Sequence, residues 1–582
     1  MDIYVAGVVI SLLVYILVGN YAGRKVKHLE DYFVAGRQAP TLLIVGTLVA
    51  SFNSTGIFLG EAGMAYSGYV GYFILGLPLT SIGYALGAVF FGRYLRRSRV
   101  ITVAEFMGRR FFSQRVRTVA GVTLILGLGG YLMVVTHGVA LVLGQITGLP
   151  HWAALVVAWA SYTFFTFYSG SRGVVITDTI MFLLFSVMAG VALYYIFSYA
   201  GGWFESVAGL ATLDGKPDIL SWHGTLGPDE EWSNPWEAFV WGSTLSLAWG
   251  FAAAVSPWQS SRFLMAKNEH VVMRSACYAT IALILLQHIV YYAGGAINLG
   301  NPGIEDSDQA MLWAAFNMMP ALAGSVLLAG ILAAGLSSAS TFLSLVGFSI
   351  TNDIIKMRQR SDRQMLTISR YTMIVVGVIA LVVALVTPPN IFWITWSVGT
   401  IFASSWGPAA LLSVWSDRIT ANAAFWGILS GFFGNAGSAM LDVWGYINLP
   451  AYLDPVLVGA VISIVVILVV SRFGEVSEAE RQLRRELHVV PPEEIDAAAT
   501  RRTLVTPKLL VAYGLIGPFL MLTLFVRPYH KATGLLEEGQ WLNFNTGETV
   551  LAFCAGVVLV ITGLITHAAI KKSYTPDRHL PS

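Results

Sequence analysis

The chain has 582 residues, 56% hydrophobic and 12% charged, with mean hydropathy +0.67 and formal net charge +2. A soluble domain carries about a quarter charged residues, so a chain this apolar cannot cover its own surface, and lipid is its solvent over most of its length. Cys277 and Cys554 both lie in apolar runs, which argues against a disulfide framework or a thiolate metal site. The small net charge singles out no partner. Membrane lipid is the expected surrounding, and no nucleic-acid partner is expected.

The first apolar run, residues 3–22, follows Asp2 rather than a basic stretch. After it comes Gly19-Asn20-Tyr21-Ala22-Gly23-Arg24, without a small-residue cleavage site. It is expected to be a retained helix. Further stretches long enough to span, about 20 residues each, cover 40–66, 69–92, 117–147, 152–169, 174–200, 236–258, 271–298, 320–351, 368–387, 391–415, 420–444, 453–471, 508–526 and 549–570. The class is therefore an all-α polytopic membrane protein with about fifteen transmembrane helices.

Function in such a chain shows as polarity inside the spans. The second span reads Val49-Ala50-Ser51-Phe52-Asn53-Ser54-Thr55-Gly56-Ile57-Phe58-Leu59-Gly60-Glu61. Its small residues permit local unwinding, which frees carbonyls for a cation, or they form a small-residue packing face. Glu61 either binds a cationic group or marks the outer mouth. Asp178, about a turn into the sixth span, is costly there unless it is paired or binds a cation. Arg172 is the nearby pairing alternative. His137 and His288 are single histidines in apolar spans and are expected to be structural.

The seventh span holds Trp249-Gly250-Phe251-Ala252-Ala253-Ala254-Val255-Ser256-Pro257-Trp258, where proline beside small residues marks a helix break. In the ninth, Ser337, Ser340 and Thr341 stand at i, i+3, i+4 on one face, with Ala334 and Ser338 on a neighbouring strip. Clustered hydroxyls suit a hard cation such as Na⁺. The alternative is back-bonding to carbonyls four residues earlier. Breaks in the second and seventh spans make 40–200 and 236–415 candidate inverted repeats, since paired broken helices point to a midplane site.

Charge tests the topology. If the spans alternate, all Lys and Arg except Lys216, Arg527 and Lys531 fall on one side, in loops such as Arg24-Lys25, Arg96-Arg97 and Lys356 to Arg363. The other side carries Asp229-Glu230-Glu231, Glu305-Asp306 and Glu537-Glu538. Positive charge stays cytoplasmic, so the N-terminus is expected outside and the C-terminus inside, across a cell inner membrane. The remaining divisions are 1–39 (first helix and cytoplasmic loop), 201–235 (extracytoplasmic loop), 416–472 (two helices), 473–507 (a charged cytoplasmic linker, a solvated connector or a regulatory element) and 508–582 (two added helices and a tail).

The stretch Asp31-Tyr32-Phe33-Val34-Ala35-Gly36-Arg37 resembles a motif of the solute:sodium symporter family. Thr102-Val103-Ala104-Glu105-Phe106 with Arg110-Phe111, Thr177-Asp178, Arg262-Phe263-Leu264-Met265-Ala266, and Ser337-Ser338 ending in Asn352-Asp353 are similar to others, spread in family order over residues 1–415. The resemblance implies a LeuT-like 5+5 inverted-repeat fold and Na⁺-coupled uptake of a small organic solute by alternating access, with no enzymatic activity. A proton-coupled carrier and a transporter-like sensor are the alternatives. It implies a first Na⁺ site from the carbonyls of Ala50, Asn53 and Ala334 and the hydroxyls of Ser337 and Ser338. A second would use Asp178, Ser340 and Thr341, sharing Ser337. Expected substrate contacts are Ser54, Thr55, Gly56, Trp249, Ala253, Ser256 and Pro257. Trp249, Pro257 and Arg262 match the proline carrier's spacing. Phe52 and Ile57, however, stand where proline and sugar carriers have an acidic and a polar residue, so neither cargo follows by analogy.

Overall fold

The computed structural model describes every residue except 1, 25, 27, 229, 356–360, 389 and 576–582, and leaves aside the side chains of 165, 168 and 169. Lys25, Asp229 and the first part of the Lys356 to Arg363 run thus lie outside the described residues. Among the described residues all regular structure is helical. Eleven helical stretches among the described residues are long and apolar enough to cross a membrane by length and composition, fewer than the about fifteen expected. Breaks and fusions account for part of the difference. Residues 56–97 run as one helical stretch through a kink at Gly68, whose φ of 140° only glycine adopts easily. The eleventh expected span is divided at Trp406 into Ile391–Ser405 and Gly407–Trp415, each too short alone.

The main helices are α1 (Ile3–Gly23), α2 (Thr41–Phe52), α3 (Val70–Gly87), α4 (Gln114–Thr147), α5 (His151–Tyr199), α6 (Pro235–Val255), α7 (Pro257–Met265), α8 (Glu269–Ala296), α9 (Ala321–Ser349), α10 (Asp362–Val386) and α11 (Ile391–Ser405). The innermost is α9, buried at every residue from Leu327 to Ser349. Around it pack α1, α2, α4, α5 and α10. α3 packs on α6 and α8. A helix with no solvent or lipid face needs side chains of even bulk, which the Gly, Ala and Ser content of α9 supplies.

Several of the family-like motifs converge on the basic face. Arg117 pairs with the buried Asp353 at 2.9 Å, and Thr102 Oγ1 and Ser349 Oγ donate to the same carboxylate at 2.8 and 3.1 Å. Arg37 donates to the carbonyls of Arg99 and Val100, while the Ala39 amide donates to the Met265 carbonyl. These residues clamp the loop ends of several spans together.

The linker is held to the core at several points, while many of its residues stay exposed. Its helices α12 (Glu478–His488) and α13 (Ala497–Thr503) lead into α14 (Val505–Met521) and α15 (Gly547–Tyr574). Arg97, paired with Glu269 at 2.7 Å, donates to the Leu487 carbonyl. Glu494 accepts the Glu269 amide at 3.0 Å, and Tyr574 Oη donates to Glu269 at 2.6 Å. The added helices pack on α3 and α8.

On the opposite face Lys216 reaches from the 201–234 loop to the Tyr66 carbonyl (2.9 Å) and Asn298 Oδ1 (2.7 Å). Burial pushes its ammonium down to about 8.

Where α3 crosses α6, backbones touch. A Cβ on Gly83 would lie 2.0 Å from the Gly250 carbonyl oxygen, and one on Gly87 2.6 Å from the Ala254 Cα. Neither obstacle is a flexible side chain. Gly83→Val is therefore expected to cost about 1–3 kcal/mol or more, seen as a lowered midpoint of thermal unfolding in detergent. An unchanged midpoint would contradict this crossing.

Candidate functional site

The expected breaks are both present. α2 ends at Phe52, where Asn53 turns to φ −79° and ψ 86° and its side-chain Nδ2 caps the Val49 carbonyl at 2.8 Å. Ser54 starts the next half: its Oγ accepts the Gly56 amide at 3.0 Å and its carbonyl accepts Ile57 and Phe58, like an N-cap residue. The polypeptide continues as a π-helical turn, Gly56–Glu61, a geometry frequent at functional sites. In the seventh span α6 stops at Val255, Ser256 is extended at φ −57° and ψ 143°, and α7 restarts with Pro257 at its first position.

The first break changes the backbone chemistry. The Ser54 amide turns to the Phe52 carbonyl, and Ile57 and Phe58 bond Ser54. Among the described residues no backbone amide is directed at the carbonyls of Ala50 and Asn53. Asn53 Oδ1 is also buried without a partner. Buried carbonyl oxygens without donors are costly and fit a hard, oxygen-seeking cation. The glycines here also pack closely, as the alternative reading held. A Cβ on Gly60 would lie 3.1 Å from Phe392 backbone atoms, and one on Gly56 3.0 Å from Thr395 Oγ1.

Across from the break stands α9. Ser338 Oγ donates to the Ser51 carbonyl at 3.2 Å, joining the hydroxyl strip to the broken span. Ser337 Oγ turns instead to Asp178 Oδ1 at 2.7 Å, and Thr47 Oγ1 donates to Asp178 Oδ2 at 2.6 Å. Ser340 Oγ back-bonds the Ser337 carbonyl at 2.8 Å, and Thr341 Oγ1 accepts Arg262 Nη2. Ala334 lies within the unbroken α9.

The pairing alternative for Asp178 is corrected. Arg172 pairs with Asp31 at 3.3 Å, because the non-helical Gly170 at φ 50° and ψ −153° bends α5 just before it. The guanidinium facing Asp178 is that of Arg262 on α7, at 3.8 Å, with both groups buried.

The expected substrate contacts are all buried and ring the two breaks. Among the described residues Thr55 Oγ1 and Ser256 Oγ have no hydrogen-bond partner, and neither has the nearby Thr395 Oγ1. Thr55 sits against Gly138 and Gly335. Trp249 packs edge-on to Phe52 with ring centroids 5.5 Å apart. Phe52 and Trp249 also line a cavity of about 70 Å³ that runs along α3 and α6 to Glu61, Gln287 and Tyr291. His137 bonds His151 at 3.1 Å, and His288 bonds the Ile284 carbonyl at 2.7 Å.

A profile of the sodium:solute symporter family matches residues 32–431. The chain belongs to that family. It is a multi-pass membrane transporter. Similar to it is a sodium/pantothenate symporter of Escherichia coli (strain K12), 24% identical over 482 residues, 80% of this chain and 96% of the relative. A high-affinity proline transporter of Bacillus subtilis (strain 168) is 24% identical over 486 residues, 78% and 95% respectively. Among solved structures, a Na⁺-coupled sialic acid symporter in a substrate-bound outward-open state aligns with TM-score 0.70 at 19% identity, covering 82% of this chain and 99% of that one. A nucleobase-cation-symport-1 family transporter in a closed conformation aligns at 0.52 with 12% identity, covering 78% and 98%. The fold of this symporter is accordingly LeuT-type.

Sequence reasoning about this symporter missed Arg262 as the partner of Asp178, and Gln287 and Tyr291 as cavity walls. Arg262 stood in a quoted motif without an assigned role. Gln287 carried a signal that went unused: an amide in an apolar span, one turn before a tyrosine.

Proposed function

We propose that the protein couples entry of Na⁺ to uptake of a small organic solute by alternating access. The observation that carries this is the pair of helix breaks beside α9, with the donor-free carbonyls of Ala50 and Asn53 next to its hydroxyl strip. The first Na⁺ would be held by those carbonyls with Ala334, Ser337 and Ser338, and its arrival would tighten the broken second span against α9. Asp178 with Ser337, Ser340 and Thr341 would take a second Na⁺ once the Arg262 guanidinium moves away. The inverted repeats are proposed as 40–200 and 236–415. The solute would sit among Ser54, Thr55, Gly56, Trp249, Ala253, Ser256 and Pro257, where the unpartnered hydroxyls of Thr55 and Ser256 await polar groups. The basic face is cytoplasmic in this reading, leaving the C-terminus inside the cell.

Each Na⁺ crossing a potential of about 100 mV supplies roughly 2.3 kcal/mol, so two ions support steeper accumulation than one. Uptake in proteoliposomes is the direct test, with a panel of amino acids, monocarboxylates and sugars. An inward Na⁺ gradient is expected to drive accumulation of at least one panel member at least ten times faster than an equal H⁺ gradient. Equal rates under the two gradients would favour a proton-coupled carrier and overturn the proposal.

A further inference from the structure

Glu61 is 6% exposed and ends the π-helical turn of the second span. Tyr291 Oη and Gln287 Nε2, the latter at 3.3 Å, both donate to its Oε2. Gln287 Nε2 also donates to Tyr291 Oη at 2.8 Å, which locks the two donors together. Oε1 takes neither of these bonds. Among the described residues no Lys, Arg or His forms an ion pair with Glu61. A buried carboxylate without a counter-charge is one of the costliest arrangements in a membrane interior. Asp178 and Asp353, each 0% exposed, by contrast face an arginine.

The surroundings of Glu61 point to what completes it. The carboxylate lines the cavity that Phe52, Tyr72, Phe73 and Trp249 also line. Ring faces attract cations and do nothing for anions. Two further residues lining the same cavity carry polar atoms that are buried without partners among the described residues, Gln287 Oε1 and Tyr72 Oη. The amide oxygen can only accept, and the phenol oxygen can accept. The wall therefore offers a carboxyl group, aromatic side chains and acceptors for N–H donors, a set that complements a protonated amine. A neutral sugar would leave the charge unpaired, and a carboxylate group at this end would repel it.

We propose that this end of the cavity recognises the protonated primary or secondary amine of the transported solute, so that the substrate class is amino acids or small amines rather than monocarboxylates or sugars. This rests on the solute-symport reading above and assigns the cargo's charged end to Glu61, with Gln287 and Tyr72 accepting its remaining N–H groups. The Tyr291 hydroxyl and the Gln287 amide position the carboxylate.

The experiment uses the full chain in detergent with saturating Na⁺. Affinities are measured by thermal shift for the twenty amino acids and for methylammonium and ethylammonium. Each amine probe that binds is compared with a carbon isostere, such as alanine with isobutyrate and proline with cyclopentanecarboxylate. Binding is expected for members of the amine set, at least 10-fold tighter than their isosteres, because a site built to hydrogen-bond a group rejects the analogue lacking it. Glu61→Gln keeps the side-chain shape and an acceptor for Tyr291. It is expected to weaken amine binding at least 10-fold and to leave the Na⁺-only thermal shift unchanged. No binding by any amine probe, isosteres equal to amines, or full amine affinity in Glu61→Gln would each overturn the proposal. Loss of the Na⁺-only shift in Glu61→Gln would also overturn it, by making the carboxylate an ion ligand. Should the variant fail to fold, the isostere comparison on the unaltered chain decides. Absence of any Na⁺-only shift in the unaltered chain would count instead against the sodium reading, so the two failures are distinguishable.

Discussion

Asp178→Ala is expected to lower sodium-driven uptake about 100-fold or more and to destabilise the protein by about 3–5 kcal/mol. The two effects have separate causes. The carboxylate is buried between the hydroxyls of Thr47 and Ser337 and the guanidinium of Arg262. Removing it leaves Arg262, itself 1% exposed, with an uncompensated charge in the membrane interior. Stability falls for that reason alone, whatever Asp178 does in transport. The ion-ligand role is isolated by the double variant Asp178→Asn with Arg262→Gln. It removes both charges, keeps an acceptor for one of the two hydroxyls, Thr47 or Ser337, turns an amide N–H to the oxygen of the other, and is expected to recover most of the thermal stability. Sodium affinity is expected to stay weakened at least 10-fold, because a neutral amide replaces a carboxylate among the oxygen ligands. Recovery of both stability and sodium affinity would assign Asp178 to structure only.

That pair also shows where sequence reading stops. Hydropathy placed the helices because crossing lipid demands about 20 apolar residues whatever the neighbours are. The breaks at Asn53 and Ser256 were legible because a small polar run or a proline interrupts a helix locally. The cost of burying Asp178 was legible too, but its partner was not. Arg172, near in sequence, was the natural choice, and Gly170 removed it by turning the backbone. Arg262 comes from the other proposed repeat, and only tertiary packing brings it there. The linker is a similar case. Its charge suggested water, yet Leu487, Glu494 and Thr500 bond the core and the last helix through backbone and side-chain contacts that no period in the sequence announces. The cavity beside Glu61 escaped for a third reason. Its walls come from six separate stretches of the chain, and within the intact α8 the Gln287 amide marks a turn without saying which helices it faces.

Ser337→Ala with Ser338→Ala is expected to raise the Na⁺ concentration for half-maximal uptake at least 10-fold. The helix should persist, since alanine is the best helix former and the site is already surrounded by small residues. The two hydroxyls act on different elements: Ser338 reaches the Ser51 carbonyl across the break, and Ser337 reaches Asp178. If both supply oxygen to bound Na⁺, each loss weakens binding by about 1 kcal/mol or more, roughly a neutral hydrogen bond, and 1.4 kcal/mol is a factor of ten. The single variants then separate the two sites. Ser338→Ala is expected to weaken the first Na⁺ only, leaving the Asp178 cluster intact. Ser337→Ala, shared by both sets, is expected to cost more and to lower the steepness of the Na⁺ dependence. Sodium titrations of uptake in proteoliposomes, beside Na⁺-induced thermal shifts without solute, measure both quantities. An unchanged titration in the double variant would remove α9 from the ion site. What remained would be the carbonyls of Ala50 and Asn53 alone, too few oxygens to strip the hydration shell from a sodium ion.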